Sequence, residues 1–539
     1  MLRIEGLKTY FHTYEGTVKA LEGIHLEVPA GETVGLVGET GCGKSVTALS
    51  VLRLIPSPPG LIEGGRVFLD EPEDIWTLRN GYDALASERL KSQGWVGSLT
   101  SARVQEALRP EIEGLRARLA ESKSGEEKGE LRRRLQAATS EFDILQKPED
   151  QMRGIRGDKI SMIFQEPMTA LNPVFTVGEQ IAETLILHRK PALCADVLKS
   201  LDRQIQARQT GTKARRTTAA RALDRLLAGR EPATLETKER ERYAQLAALK
   251  PTDEVCTNCY HKAPRLWDYC LACGVRLAFD PWSWFRGRIM RMERSLYERM
   301  LRDPEDQLVD FVGTIWFLRR LVRKRLRDEG IRWAVDMLSE VKISDPERIA
   351  GQYPFELSGG MRQRSMIAMM IACNPKLLIA DEPTTALDVT VEAQILKLMK
   401  ELQTRTKMAI LLITHDLGIV AEVCDKVGVM YAGSIAEFGT TEQVFHRTMH
   451  PYTNGLMESI PRFKGSASEE RKKELYIIKG AVPNLLHPPP GCRFHPRCPR
   501  ALDVCKEVVP TLTQMEPGHL VACHNPVPRV AALTPEVAA

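Results

Sequence analysis

The 539-residue chain contains no long hydrophobic run. Its most apolar stretches, such as MIAMMIAC at 366–373, have the length of a core helix and fall short of the ~18 residues that span a bilayer. A membrane role would have to come through a partner or a surface contact. The first residues, MLRIEGLKTYF, lack the charged, apolar and small-residue layout of a secretory leader, so an intracellular setting is expected. Strong charge of one sign is missing too. The balance of 75 Lys+Arg against 70 Asp+Glu leaves +5, too little for a global field that gathers nucleic acid. The pattern of a small disulfide-stapled domain is also absent. Eight of the twelve cysteines fall in two tight groups of four, which favours metal ligation. What remains is 43% hydrophobic and 27% charged, with a mean hydropathy of −0.24. That is the composition of a soluble protein, too long for one core and sufficient for about three or four domain-sized units.

An α/β pattern runs along the chain and is interrupted twice. In residues 1–72, TVGLVGETGCGKS (33–45) passes from a β-branched strand into a glycine loop, VTALSVL opens a helix, and GGRVFLD (64–70) reads as a strand. Residues 73–150 turn charged and helical. Val104, Leu108, Ile112, Leu115 and Leu119 share one face, and Leu131, Leu135, Ala138, Phe142 and Leu145 repeat the rhythm. This predicts two antiparallel helices joined at 122–127, with Pro110 kinking or starting the first. Residues 151–188 return to strand and loop in KISMIFQEPMTALNP, then to a helix capped by Thr176.

The second interruption, 189–330, holds basic helical stretches, a cysteine-rich segment at 256–273 and a last helix at 307–328. In that helix Leu308, Phe311, Val312, Ile315, Leu318 and Val322 share a face. Its basic end could lie on lipid or nucleic acid, but an amphipathic helix with a solvated basic end is the preferred reading. From 331 to 460 the α/β pattern resumes with the buried strand KLLIADEP (376–383), the strand AILLITHDL (409–417) and closing strands at 426–439. Residues 461–539 are Pro- and Cys-rich and read as a separate tail.

The sequence Gly38–Ser45 fits G-x-x-x-x-G-K-[ST]. Gly38, Gly41 and Gly43 let the backbone curl so that N–H groups face a β-phosphate. Lys44 would reach the β- and γ-phosphates and Ser45 would ligate Mg²⁺. Glu39, Thr40, Cys42 and Val46 complete the candidate phosphate-binding set. The Cys42 thiol is expected to make the loop oxidant-sensitive. Asp381 and Glu382 end an apolar strand, where Asp381 can hold Mg²⁺ and Glu382 can polarise an attacking water. In LSGGMRQ (357–363), Ser358, Gly359 and Gly360 open a helix and form a second anion-binding nest. Cys256, Cys259, Cys270 and Cys273 follow C-x2-C-x10-C-x2-C, the ligand set of a structural Zn²⁺ ribbon. His261 between them reads as a surface residue.

Taken in order, the phosphate loop, Gln165, LSGGMRQR, LLIADEP, the Ala386–Asp388 turn and His415 resemble the ATP-binding cassette (ABC) ATPases. The finer strings IFQEPMTALNPVFTVGEQI, YPFELSGGMRQR and IADEPTTALDVT look like the oligopeptide, dipeptide and nickel importers of that family. The resemblance implies an α/β P-loop NTPase cassette with a helical subdomain, here carrying an inserted hairpin, an inserted ribbon and a Cys-rich extension. It implies ATP and Mg²⁺ as ligands and a head-to-tail dimer with a second cassette. In such a dimer Ser358, Gly359 and Gly360 would serve the partner's nucleotide, and Gln363 and Asp388 are further nucleotide-binding candidates. His415 would contact the γ-phosphate, and Gln165 would link Mg²⁺ to the groove of a permease subunit. Tyr14, or else Phe11, would stack on adenine.

The tail cysteines Cys492, Cys498, Cys505 and Cys523 match an extension of the same importers that can hold an iron–sulfur cluster. Four thiolates suit [4Fe–4S] or zinc, with His495, His519 and His524 as substitute ligands. Two permease subunits and, indirectly, a solute-binding protein are the implied partners, at the cytoplasmic face of the plasma membrane. Imported peptide is the expected cargo. The alternative is a DNA-repair type cassette using the ribbon and basic helices. It would be expected to show a second cassette or very long coils, and the sequence has neither.

Overall fold

The computed structural model describes residues 1–92, 99–122, 124–166, 170–209, 216–227, 237–251, 253–262, 270, 272–273, 283–303, 319–385, 387–459 and 477–527. The chain divides into two compact units, Met1–Asn172 with Pro354–Ala539, and Pro173–Tyr353. The interruption expected over 189–330 thus belongs to a larger unit whose limits lie outward of it. The apolar face expected at Leu308, Phe311, Val312, Ile315 and Leu318 lies outside the described residues.

The first unit is built on two sheets. Strands β1 (Leu2–Thr13), β2 (Gly16–Val28) and, after β3 (Thr33–Val37), β4 (Gly60–Leu69) supply an antiparallel sheet in the order β2-β1-β4. The chain continues through β5 (Ile160–Ile163), then β6 (Arg216–Thr218) and β7 (Glu254–Cys256) of the other unit. It then enters β8 (Leu377–Asp381), β9 (Ala409–Ile413), β10 (Lys426–Tyr431), β11 (Ser434–Thr440), β12 (Thr513–Glu516) and β13 (His519–Val521). The large sheet runs β12-β13-β11-β10-β3-β9-β8-β5. Its β10-β3-β9-β8-β5 part is parallel. These strands are apolar throughout, as TVGLV, LLIAD and AILLI show, because both faces are covered. Leu36, Ile379, Leu411 and Ile413 are buried in one core with Leu2, Leu26 and Val67 of the smaller sheet.

The register aligns Leu36 with Ile413, Ile413 with Asp381, and Ile163 with Ala380. Four neighbouring parallel strands therefore end at one level, and an open α/β sheet binds ligands beyond such carboxyl ends. The phosphate loop follows β3, Gln165 follows β5, Asp381 closes β8, and His415 follows β9.

Between β4 and β5 lie helices Glu73–Ser92, Ser101–Ala107, Arg109–Glu121, Gly125–Ala138 and Glu149–Ile155. The expected hairpin is present as Arg109–Glu121 against Gly125–Ala138, but the first stripe spans two helices that meet at Leu108, with Pro110 in the first turn of the second. Val104, Leu108, Ile112, Leu115, Leu131 and Ala138 bury together as expected. Leu145 departs from the expectation: the helix stops at Ala138, and Leu145 packs on the sheet core instead. Helix Glu73–Ser92 docks through charge. Arg79 bonds Glu71 at 2.7 Å, Glu5 at 2.8 Å and Asp83 at 2.8 Å, and its guanidinium lies 3.8 Å from the Phe68 ring centroid.

In the second unit, helix Val177–His188 starts at Thr176 with a full capping box and packs against Arg319–Glu340. Helices Lys190–Gln209 and Ser283–Arg302 pack together. A small module pairs β6 with β7, Thr217 opposite Val255. It buries Ala219, Ala222, Leu226, Leu246 and Val255.

Candidate nucleotide site and cysteine clusters

The loop after β3 is shaped by its glycines. A Cβ on Gly38 would lie 2.2 Å from the Met430 carbonyl oxygen, so no side chain fits there. Gly43 precedes helix Lys44–Val51 with φ +104. Lys44 is buried, and its Nζ donates to the carbonyls of Gly38 at 2.8 Å and Glu39 at 3.2 Å. Thr40, Gly41 and Ser45 are exposed on the rim, while Val46 turns half-buried toward the core. Cys42 corrects the expectation of oxidant sensitivity. It is 1% exposed, and burial raises its thiol above the ordinary range despite the charge of Lys44. Oxidants act on exposed thiolates.

Asp381 is buried and directed at the same loop. Burial raises its carboxyl, a hydrogen bond from Ser45 opposes this, and Oδ1 has no hydrogen-bond partner. An orphaned carboxylate oxygen beside the loop serine is a donor set suited to a hard divalent cation.

Next to it, Glu382 sits at φ +46, a strained conformation for a non-glycine residue. Its backbone N–H donates to Ile413 O at 2.8 Å. Gln165 Nε2 donates to one carboxylate oxygen at 2.8 Å, Thr385 Oγ1 donates to it at 3.1 Å, and His415 Nδ1 meets the other oxygen at 3.0 Å. Burial alone would raise this carboxyl; the His415 and Thr385 hydrogen bonds bring it below the usual carboxylate range. The structure thus gathers Gln165, Asp381, Glu382 and His415 with Ser45 and Lys44.

Ser358 caps helix Gly359–Ile371, accepting from Met361 N at 3.4 Å, and Ser358 and Gly359 are exposed. Gly360 is half-buried under Val391. Gln363 departs from its expected nucleotide-facing place. It is 2% exposed and donates to the Pro383 carbonyl, so it braces the loop behind Glu382. Asp388 is exposed and caps helix Val389–Thr406 through Val391 N at 2.9 Å; Ala386 lies outside the described residues. Tyr14 is fully exposed at the β1–β2 turn, whereas Phe11 is packed against Gly60. Only Tyr14 of the two offers an open ring face.

The ribbon sulfurs of Cys256, Cys259, Cys270 and Cys273 all lie within 4.8 Å of one another. Cys256 and Cys273 are 3.7 Å apart, Cys259 and Cys270 3.3 Å. Four sulfurs around one tetrahedral ion at ~2.3 Å stand about 3.8 Å apart. Hydrogen bonds from the other sulfurs lower the Cys256 thiol to about 3, and those same neighbours raise Cys259. His261 is exposed, with Nδ1 3.1 Å from Cys259 O.

The tail cysteines Cys492, Cys498, Cys505 and Cys523 lie near enough to influence one another electrostatically. Burial and the neighbouring sulfurs raise Cys492, and Cys523 is pushed up to about 11. Backbone N–H groups point at these sulfurs, from Asn525 to Cys523 at 3.4 Å and from Leu502 to Cys505 at 3.5 Å. Such donors accompany thiolate ligands. The three histidines are engaged elsewhere: His495 at Cys492 O, His524 at Val508 O, and His519 at Glu437, 2.8 Å away.

Sequence reasoning missed one feature. The tail and the helix before it reach the phosphate loop: Arg497 of the tail pairs with Glu39 at 2.8 Å, and the hydroxyl of Tyr452, in helix Pro451–Glu458, accepts from Glu39 N at 3.1 Å. No spacing signal joins positions so far apart in sequence.

Residues 21–98 and 282–385 match the ABC transporter family, and residues 436–505 match the oligopeptide/dipeptide transporter C-terminal region. A probable peptide ABC transporter ATP-binding protein of Sinorhizobium fredii is 32% identical, over 97% of this chain and 94% of its own length. The dipeptide transport ATP-binding protein DppD of Bacillus subtilis is 30% identical, over 97% and 94%. The oligopeptide transport ATP-binding protein OppD of Salmonella typhimurium is 29% identical, over 98% and 94%. Among solved structures, a dimeric bacterial ABC transporter cassette aligns at 15% identity, covering 82% of this chain and 99% of its own, with a TM-score of 0.39.

Proposed function

Since the chain belongs to the ABC transporter ATPases of the oligopeptide/dipeptide type, we propose that it hydrolyses ATP through Glu382 to drive the import of peptides. It is an ATP-binding subunit of a peptide importer, and the nucleic-acid alternative gives way to the transporter C-terminal match at 436–505. Among the described residues no helix is long and apolar enough to cross a membrane. The subunit works beside two permease subunits at the cytoplasmic face of the membrane, with a solute-binding protein delivering peptide to them.

The carrying observation is the Glu382 carboxylate, held from one side by Gln165 and from the other by His415. Lys44 leaves the Gly38 and Glu39 carbonyls to meet the β- and γ-phosphates. Ser45 and Asp381, with Gln165, would hold Mg²⁺, which supplies charge neutralisation on the phosphates. Glu382, kept ionised by its partners, orients and polarises the water attacking the γ-phosphorus. His415, beside Glu382, then faces the γ-phosphate, and Tyr14 covers adenine. The exposed Ser358–Gly359 helix start is free to meet a second cassette's nucleotide.

The ribbon quartet holds a structural Zn²⁺, a reading supported by its sulfur spacing. The tail quartet holds an iron–sulfur cluster, a reading supported by the backbone N–H donors to Cys505 and Cys523.

The test is Glu382→Gln in the assembled transporter. ATP binding should stay within about twofold while turnover falls by about 10²-fold or more. Brisk turnover by this variant would refute the role of Glu382.

A further inference from the structure

We propose that Arg497 of the Cys-rich tail and Tyr452 of the helix before it are positioning residues for the phosphate loop, so that they set the affinity of the site for the ATP polyphosphate. The inference rests on the reading of Gly38–Ser45 as the ATP site.

Glu39 is the loop's one acidic side chain, placed where a polyanion arrives. Arg497 grips it with both arms, Nη1 to Oε2 at 2.8 Å and Nη2 to Oε1 at 3.2 Å. This bidentate form is the strong one for a guanidinium and a carboxylate. Arg497 is itself over-determined. Its Nε donates to Lys479 O at 3.2 Å, Nη2 to Ile478 O at 3.4 Å, and Nη1 to the Tyr431 hydroxyl at 3.3 Å. Arg497 is nearly buried, and Glu39 is about three-quarters so. The pair is screened less than a surface bridge.

From the other side, the Glu39 N–H is committed to the Tyr452 hydroxyl at 3.1 Å. Tyr452 is fully buried in an aromatic cluster, with ring centroids 4.6 Å from Tyr431 and 5.3 Å from Phe494 of the tail. Arg493 of the tail adds bonds to the Ala432 and Lys19 carbonyls behind the loop.

Two consequences follow for the site. The carboxylate's charge is neutralised by the Arg497 guanidinium. The loop's second residue is also fixed before ligand arrives, which lowers the ordering cost of binding. Without Arg497, Glu39 is a stranded negative charge beside the polyphosphate. Without the Tyr452 hydroxyl, the Glu39 N–H loses its partner and the loop loses one of its two pins.

The experiment is calorimetric titration of the purified full chain with ATP, paired with steady-state turnover of the assembled transporter. Arg497→Gln should weaken ATP binding and raise KM about tenfold, the worth of one charged hydrogen-bond set, with kcat within about twofold. Adding Glu39→Gln to Arg497→Gln should recover most of that loss, because the stranded charge is removed. Tyr452→Phe should raise KM several-fold, and Arg497→Lys should fall between Arg497→Gln and wild type. Thermal melting of each variant identifies simple unfolding, and recovery by the second substitution is something unfolding cannot give. Equal ATP affinity for Arg497→Gln and wild type, or no recovery in the double variant, overturns the inference. Failure of the wild-type chain to bind ATP would instead overturn the underlying site assignment.

Discussion

At the scale of single residues, exposure decides chemistry more than residue type does. Cys42 stands inside the phosphate loop, yet its sulfur is enclosed and held as the thiol. Brief treatment of the native chain with iodoacetamide at neutral pH should leave Cys42 unlabelled by mass spectrometry, and labelling within minutes would show the enclosure is wrong. His450 gives a second test. It is fully buried, caps helix Pro451–Glu458 by accepting from Tyr452 N at 3.1 Å, and burial lowers it from 6.5 to about 4. The unfolded chain therefore takes up a proton at higher pH than the native chain does. The stability this group contributes is complete above pH ~6.5 and is lost as pH falls toward 4. Between pH 7 and 5 the loss amounts to about 2 kcal/mol. His450→Asn keeps a capping acceptor and cannot titrate, so its melting temperature should fall less over that interval than the wild type's. Parallel falls would contradict the assignment.

At the scale of elements, the inserted helix Glu73–Ser92 is fixed by a buried ionic cluster. Arg79→Met leaves Glu71 and Glu5 without their shared cation and should cost about 3–5 kcal/mol in denaturant unfolding. A change under ~1 kcal/mol would mean the cluster is solvated. The ribbon module offers a separable test. Cys256→Ser with Cys270→Ser should remove one zinc per chain, measured by metal analysis, while ATP affinity stays within twofold. Local elements were legible where one rhythm or one cap determined them, as in the strand–loop–helix around Lys44, the Thr176 capping box and the Val104–Leu119 stripe. They were less legible where the determinant was distant. The break at Leu108 and the redirection of Leu145 into the sheet core depend on what those residues pack against, which no local period encodes. Gln363 was misplaced for the same reason: its helix position is evident in sequence, but its inward turn to Pro383 is set by a neighbouring loop.

At the scale of the whole molecule, the proposed reading has each nucleotide site completed by a second cassette. Lys44, Asp381 and Glu382 gather at one end of the sheet, whereas Ser358 and Gly359 face solvent. Turnover by the isolated chain should therefore rise with roughly the square of protein concentration in the dilute range. Strict proportionality would show that one chain suffices. The order of the motifs along the sequence made the cassette recognisable, because each parallel strand delivers one of them to the same edge. The tail's attachment was not legible, since its partners Glu39 and Glu437 lie in other segments.

That attachment has a consequence for biogenesis. Strand β13 covers β11, pairing Val521 with Glu437, and the His519 ring meets the buried Glu437 carboxylate at 2.8 Å. Until the segment carrying β13 has emerged from the ribosome, the newborn polypeptide carries a raw sheet margin along β11. A chaperone that shields such margins should engage the nascent chain and let go only when β13 docks.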